Sequence, residues 1–317
     1  MSNKTPRLSR KDFLKLSAAT VAGGMMMTSG VGRAMISQST SSELLMRPIP
    51  SSGEMIPAVG LGTAQTFGQP QNDDDFNQRK EVINTLLNEG GTVIDTSPTY
   101  SNAEAVVGRA LDELGRRDEA WLATKTSISG KQAGIDQNTQ SFSDLKTNKF
   151  ELLQVHNLRD TEAHMETILK LKEEGRVKYA GITHFRESAN DPLTDAMLKH
   201  PVDFIQCQYN MIDRSVEQRL LPAALEKGVA IMINVPFGRG RLFRATSGKD
   251  IPEFAKEFGV DTWGKFFLKY ILSHPAVTVA IPGTVHPHHV VDNIGALRGR
   301  LPDQGERDRM IKFIENL

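Results

Sequence analysis

The chain has 317 residues, and its 38 Lys and Arg balance its 38 Asp and Glu, so the formal net charge is zero. This balance argues against nucleic acid as a main partner, because phosphate binding needs a clustered positive field. A hydrophobic share of 39% supports a sizeable core and excludes a disordered chain. The single cysteine, Cys207, excludes an internal disulfide and a cysteine-based zinc site.

Residues 1–34 have the layout of an export signal. A basic start precedes a weakly apolar stretch over residues 13–31, and the small-x-small sequence Gly32-Arg33-Ala34 follows. Residues 9–15 read S-R-K-D-F-L-K, which resembles the twin-arginine signal S-R-R-x-F-L-K with Lys11 in place of the second arginine. The pattern predicts export to the bacterial periplasm through the twin-arginine machinery, with cleavage after about Ala34.

A linker over residues 35–46 and a globular domain over residues 47–317 are expected to follow the signal. No later segment is long and apolar enough to cross a bilayer, so we expect no stable membrane insertion after processing. A disordered basic tail and an uncleaved anchor are the alternatives for the N-terminus. An inactive signal would leave the protein in the cytoplasm.

The domain contains eight short apolar runs, most of them bounded by Gly, Pro, Asp or Asn, which is typical of buried parallel strands. They cover residues 59–61, 92–95, 121–124, 152–156, 179–182, 204–207, 230–234 and 277–281. Helical patterns cover residues 76–88, 104–114, 161–174 and 215–227, whereas residues 126–149 are polar and predict a shortened, loose third loop and helix.

Eight strands that mostly alternate with helices over about 270 residues predict an α/β fold, the (β/α)8 TIM barrel. A short N-terminal hairpin within residues 47–56, centred on Ser52-Gly53, is expected on the barrel floor. A doubly wound sheet is the alternative, but no G-x-G-x-x-G opens a helix after the first strand.

Four polar residues follow three consecutive predicted strands at the end where barrel active sites lie: Asp95, Tyr100, Lys125 and His156. Taken singly, each has a structural interpretation. Asp95 could cap a turn, and Tyr100 could be a half-buried ring of the core. Lys125 could extend its ammonium to solvent, and His156 could be a hydrogen-bonded structural residue. Together on one rim they predict catalysis, because unpaired charge at the edge of a core is costly.

These four groups suit one reaction. A Lys125 ammonium held by Asp95 is expected to lower the pKa of Tyr100 from about 10 and make the phenol a general acid toward a carbonyl oxygen. His156 would orient that carbonyl through a hydrogen bond. The carbon then needs a hydride, which a nicotinamide cofactor supplies and no side chain does.

The segment around the first two of these residues is recognisable. Residues 91–108 read G-T-V-I-D-T-S-P-T-Y-S-N-A-E-A-V-V-G and resemble the aldo-keto reductase signature, roughly G-x-x-x-x-D-T-A-x-x-Y-G-x-S-E-x-x-x-G. The chain departs from it at Ser97, Ser101 and Ala103. The resemblance extends over about residues 47–310 and includes all four rim residues.

The resemblance implies an NAD(P)H-dependent oxidoreductase that reduces a small aldehyde or ketone to an alcohol. Asp95, Tyr100, Lys125 and His156 would be its catalytic residues, with Tyr100 as general acid. NADPH would lie extended across the barrel mouth, and NADH is the alternative because the family's usual cations are absent at Gly283 and His289. No metal is expected.

The resemblance also implies a set of cofactor-binding residues. The nicotinamide carboxamide would be bound by Thr183, His184 and Gln206. Asn234 replaces an aromatic ring that stacks on the nicotinamide in many relatives. The whole set is Gly62, Thr63, Thr183, His184, Gln206, Asn234, Phe237, Gly238, Gly283, Thr284, His289, Asp292 and Asn293.

Two other functions stay open on the sequence. One is a cofactor-binding structural or regulatory subunit with little turnover, as the altered positions His184 and Asn234 would allow. The other is a non-redox barrel lyase or isomerase, with Lys125 forming a Schiff base beside Asp95 and Tyr100.

Overall fold

A computed structural model describes residues 43–317 of the chain. The predicted export signal and most of the predicted linker lie outside the described residues. Met46, the last residue of that linker, begins the first strand.

Strands β1 (Met46–Pro48) and β2 (Met55–Pro57) form an antiparallel hairpin. The remaining strands make one eight-stranded parallel sheet in chain order. They are β3 (Leu61–Gly62), β4 (Val93–Asp95), β5 (Trp121–Thr126), β6 (Phe150–His156), β7 (Val177–Thr183), β8 (Phe204–Gln208), β9 (Ala230–Asn234) and β10 (Val277–Ala280).

The sheet closes on itself between its first and last strands. A parallel bridge joins Val59 to Ala280, and the Gly60 amide donates to the Ala280 carbonyl at 2.9 Å. A Cβ on Gly62 would lie 2.7 Å from the Ile281 carbonyl oxygen, and one on Gly283 would lie 2.9 Å from the Gly62 oxygen. Glycine at these two positions therefore lets the backbones approach closely enough for closure. The predicted (β/α)8 barrel is confirmed.

Helices surround the sheet. They are α1 (Asp73–Asn88), α2 (Ala103–Leu114), α3 (Lys131–Asp144), α4 (Thr161–Glu173), α5 (Asn190–Lys199), α6 (Leu220–Lys227), α7 (Arg241–Ala245), α8 (Glu253–Lys256), α9 (Trp263–Leu272), α10 (Pro287–Gly295) and α11 (Gln304–Glu315). Within residues 43–317, no helix is long and apolar enough to cross a bilayer.

Two helix predictions were wrong in detail. The polar third segment forms the 14-residue helix α3 rather than a shortened, loose one. The pattern over residues 215–227 is broken: a 3-10 turn at Ser215–Glu217 precedes α6, which starts only at Leu220. Pro222 lies in the first turn of α6, where its missing N–H costs nothing, and it disfavours a helix that starts a turn earlier.

The core has two layers that follow from side-chain alternation along the strands. Val93, Leu152 and Phe204 point into the barrel, whereas neighbours such as Ile94 and Leu153 face the helices. Ile49 and Ile56 of the hairpin segment are at most 2% exposed and pack on the inner layer. The hairpin thus covers the floor of the barrel.

Candidate active site

Alternation along the strands also brings the predicted site residues together at the barrel mouth. Asp95 lies two residues beyond the inward Val93, and Lys125 lies two beyond the inward Ala123. His156 likewise lies two residues beyond Gln154, which pairs with Lys125 across β5 and β6. Two predicted cofactor residues lie at the same level of the barrel, because His156 pairs with Thr183 and Thr183 pairs with Gln206.

Lys125 and Asp95 form a buried ion pair. The Lys125 ammonium donates to Asp95 Oδ1 at 2.8 Å, to Oδ2 at 2.7 Å and to the Thr96 carbonyl at 2.8 Å. The two side chains are 1% and 3% exposed. Burial lowers the pKa of Lys125, but the charge of Asp95, with Tyr100 nearby, outweighs it and raises the pKa overall. Lys125 is therefore a cation at neutral pH.

Tyr100 lies beside that cation, with Lys125 Nζ 5.1 Å from its ring centroid. Burial raises the pKa of the phenol, and the charge of Lys125 lowers it by less, so the net shift is upward. Lys125 therefore acts on the pKa of Tyr100 in the expected direction, but the expected net lowering is wrong, because burial of the phenol, which the sequence does not reveal, outweighs it. A protonated phenol is the form that a general acid needs.

Tyr100 is presented by a tight turn after β4. Its amide donates to the Ser97 carbonyl at 3.0 Å, and the Asn102 amide donates to the Gly68 carbonyl at 2.9 Å. Ser101 has φ of 54°, in the left-handed region that favours glycine, and it stands where the aldo-keto reductase pattern has glycine.

His156 is a neutral ring with hydroxyl partners. Its Nδ1 lies 2.6 Å from Ser127 Oγ and 3.4 Å from both Ser97 Oγ and Thr99 Oγ1. Burial, with the charge of Lys125 second, lowers the pKa of His156 to about 3. The ring meets Tyr100 edge to face, with centroids 6.1 Å apart.

Sequence reasoning missed three residues here. Ser127 contacts His156, and Gln154 Nε2 donates to Asp95 Oδ1 at 3.4 Å. Glu104 is 3% exposed and accepts from Thr124 at 2.5 Å and Ser141 at 3.0 Å. The signal for Ser127 was its spacing, since it lies two residues beyond Lys125 and hence on the same face of the chain.

The residues predicted for the carboxamide gather on the other side of the mouth. Thr183 Oγ1 donates to Gln206 Oε1 at 2.8 Å, and Gln206 Nε2 lies 3.3 Å from Met232 Sδ. Asn234 Oδ1 is buried and has no hydrogen-bond partner within residues 43–317. His184 is half-buried and stacks on Phe185, with ring centroids 5.7 Å apart.

Other predicted cofactor residues have partners within the fold. Thr63 Oγ1 donates to the Asp95 carbonyl at 3.0 Å, which links the end of β3 to the end of β4. Phe237 packs edge to face on Phe243, and Gly238 starts the 3-10 turn Gly238–Gly240 after β9. These contacts shape the loop that follows Asn234.

The predicted adenosine end lies at α10. Thr284 Oγ1 lies 3.0 Å from His289 Nδ1 and accepts from the His286 amide at 3.0 Å. Asp292 accepts from Thr262 Oγ1 at 2.8 and 3.0 Å, at the start of α9, and Asn293 is buried. Asp292 therefore has a structural partner as well as its predicted role.

No group of three or more His, Cys, Asp or Glu side chains in the described part of the chain is arranged to hold a metal ion. Cys207 is buried, and burial raises the pKa of its thiol.

The family model for the aldo/keto reductase family matches residues 58–307. The chain belongs to the aldo/keto reductase family. The resemblance found over residues 91–108 is thereby confirmed, and the matched region spans all the strands from β3 to β10.

Relatives within the aldo/keto reductase family are distant in sequence. The chain is 29% identical over 214 residues to aldo-keto reductase YhdN of Bacillus subtilis (strain 168), a match that covers 63% of this chain and 62% of YhdN. It is 26% identical over 283 residues to aldo-keto reductase str7 of Strobilurus tenacellus, covering 77% and 82% of the two chains.

A solved aldo/keto reductase from Klebsiella pneumoniae, in complex with NADP and acetate, has a similar structure. The TM-score is 0.70 at 26% identity, and the match covers 83% of this chain and 93% of the other.

Proposed function

We propose that this protein reduces a small aldehyde or ketone to an alcohol with NADPH, using Tyr100 as general acid. The observation that carries the proposal is the buried Lys125–Asp95 ion pair beside a protonated phenol and a neutral imidazole at the open end of the barrel. A cation next to a phenol stabilises the phenolate that forms when the proton leaves, so it lowers the barrier for proton donation.

Each side chain has a separate role in the reaction at the carbonyl oxygen. Tyr100 transfers its proton to that oxygen, and Lys125 stabilises the phenolate left behind. His156, neutral because burial holds its pKa at about 3, donates a hydrogen bond to the oxygen and orients it. Asp95 holds the ammonium in place. When bound, the nicotinamide supplies the hydride.

The polar residues across the mouth fit a nicotinamide carboxamide. Within residues 43–317, Asn234 Oδ1 is a buried acceptor without a hydrogen-bond partner, and Gln206 Nε2 donates only to the weak thioether acceptor of Met232. A carboxamide offers both the donor and the acceptor that these atoms need. The bound NADP of the Klebsiella pneumoniae relative supports NADPH as the cofactor, with NADH as the alternative.

An absorbance assay that follows NADPH oxidation with a panel of aldehydes tests the function. Turnover with at least one aldehyde is expected. NADPH binding, measured by fluorescence titration alongside NADH, without turnover would favour the subunit hypothesis. Borohydride trapping of a carbonyl substrate on Lys125 would favour the Schiff-base lyase or isomerase.

We also propose that residues 1–34 direct the folded, cofactor-loaded protein to the periplasm. The support is the match of residues 9–15 to the twin-arginine pattern, a route that carries folded proteins. Arg10→Lys removes the one arginine left in the motif, so it should strand active, full-length protein in the cytoplasm. Cell fractionation that finds the unaltered protein in the cytoplasm with residues 1–34 attached would refute export and leave the enzyme proposal intact.

A further inference from the structure

Three hydroxyl groups surround one nitrogen of His156. Ser127 Oγ lies 2.6 Å from Nδ1, and Ser97 Oγ and Thr99 Oγ1 each lie 3.4 Å from it. Among residues 43–317, neither a carboxylate nor a carbonyl is hydrogen-bonded to Nδ1, and Nε2 has no hydrogen-bond partner. A neutral imidazole carries one proton, so the partner of Nδ1 decides which nitrogen is left to donate.

The donor and acceptor are fixed in one hydrogen bond of this group. The Thr99 amide, which can only donate, donates to Ser97 Oγ at 3.2 Å. The Ser97 hydroxyl can donate to Thr99 Oγ1 at 2.9 Å or to Ser127 Oγ at 3.4 Å, and the second arrangement turns the Ser127 proton to His156 Nδ1, 2.6 Å away. In that arrangement Ser97 and Ser127 each accept one hydrogen bond and donate one.

Ser127 is held in place for this contact. It is 7% exposed, and its amide donates to Gln137 Oε1 of α3 at 2.6 Å. The next carbonyl, that of Ile128, lies 2.6 Å from Nε2 of the buried His164 on α4. Helices α3 and α4 thus anchor Ser127 and the residue that follows it.

We propose that Ser127 is a positioning residue that holds His156 in the tautomer with its proton on Nε2. Ser127 does not touch the substrate; it occupies Nδ1 as a donor and so leaves Nε2–H free to bind the carbonyl oxygen. The proposal rests on the proposed function for its catalytic consequence, whereas the tautomer itself is a property of the free protein.

Nuclear magnetic resonance of the imidazole nitrogens tests the tautomer directly. The full chain, labelled with nitrogen-15, gives long-range proton–nitrogen correlations at pH 7, and His156 is assigned by its loss in His156→Gln. The expected spectrum has a protonated Nε2 and a bare, hydrogen-bonded Nδ1. Ser127→Ala should shift the Nδ1 resonance and populate the Nδ1–H form, and Ser127→Thr should restore the original pattern.

Activity gives the second measurement. Loss of one hydrogen bond should lower kcat of Ser127→Ala by about tenfold with the Kd for NADPH unchanged, and Ser127→Thr should recover most of it. Ser129→Ala, an exposed serine on the same loop, is the matched control and should change neither spectrum nor rate.

Two spectral results would overturn the proposal: an Nδ1–H tautomer in the unaltered protein, or an unchanged His156 spectrum in Ser127→Ala. The unaltered spectrum decides the tautomer even if Ser127→Ala folds poorly. If the unaltered protein reduces no carbonyl, the proposed function fails while the spectrum still decides the tautomer.

Discussion

The ammonium of Lys125 has its charge balanced inside the protein rather than by solvent. It is 1% exposed, and its three acceptors are the two Asp95 oxygens and the Thr96 carbonyl. Such a pair adds little net stability compared with an apolar pair, but removing one partner leaves the other charge buried and uncompensated. In the proposed reaction, the same cation stabilises the phenolate that forms when Tyr100 gives up its proton.

Lys125→Met should therefore reduce both stability and activity. It leaves the Asp95 carboxylate without its counter-charge, which costs about 3–5 kcal/mol in unfolding free energy. It also leaves the Tyr100 phenolate unstabilised, so turnover should be lost. Urea unfolding and the aldehyde assay measure the two effects. Lys170→Met, an exposed lysine on α4, is the control, and a Lys125 variant that matches it would contradict the ion pair.

Glu104 is a second buried carboxyl, with only hydroxyl partners. Burial raises its pKa from 4.5 to about 7, which corresponds to about 3 kcal/mol. Since the folded state binds this proton more tightly than the unfolded state, the contribution favours folding below pH 4.5 and is lost as pH rises toward 7.

Glu104→Gln keeps the shape and removes the titration. Relative to this variant, the unaltered protein should lose about 2 to 3 kcal/mol of unfolding free energy between about pH 4.5 and pH 7.5. Unfolding in urea across that range gives the comparison, with the exposed Glu226→Gln as control. Parallel curves for the Glu104 variant and the unaltered protein would show that Glu104 does not titrate in this way.

Helix α3 buries one aromatic ring and otherwise mostly polar groups. Phe142 stacks on Phe150 with ring centroids 4.0 Å apart, whereas Asn138 accepts from Thr126 at 2.8 Å and Ser141 donates to Glu104. Hydrophobic periodicity cannot detect such a helix, which is why the sequence predicted a loose segment there. The amphipathic pattern over residues 104–114, by contrast, located the start of α2 to within one residue.

The close packing of α3 on α4 can be tested by a substitution at Gly134. A Cβ on Gly134 would lie 2.5 Å from Cε1 and 2.6 Å from Nδ1 of the buried His164. Gly134→Ala should therefore destabilise the protein by about 1–3 kcal/mol, since the ring has no room to move. Gly305→Ala on α11 is the matched control, because its Cβ would meet only Asp303 Oδ1 at 3.5 Å. It should be neutral or stabilising by up to about 1 kcal/mol. Equal unfolding midpoints for both variants would contradict this packing.

Residues 43–317 form a barrel whose floor is covered by the hairpin and whose mouth is polar. Strand positions were predictable because buried parallel strands are apolar runs, and Asp95, Lys125 and His156 were predictable because each ends one. The Ser127–His156 contact was not predictable, because it depends on the register of β5 against β6 and on the path of the loop to α3. The direction of the pKa shift of Tyr100 was not predictable either, because burial and the Lys125 charge act in opposite directions.

The central claim is that Tyr100 delivers the proton to the carbonyl oxygen. The direct measurement is the turnover of Tyr100→Phe against the unaltered protein in the NADPH absorbance assay, with NADPH affinity measured by fluorescence on both. Phenylalanine keeps the ring and removes the proton, so kcat should fall by roughly 10²–10⁴-fold while the Kd for NADPH stays the same. Near-normal turnover by Tyr100→Phe would contradict the claim.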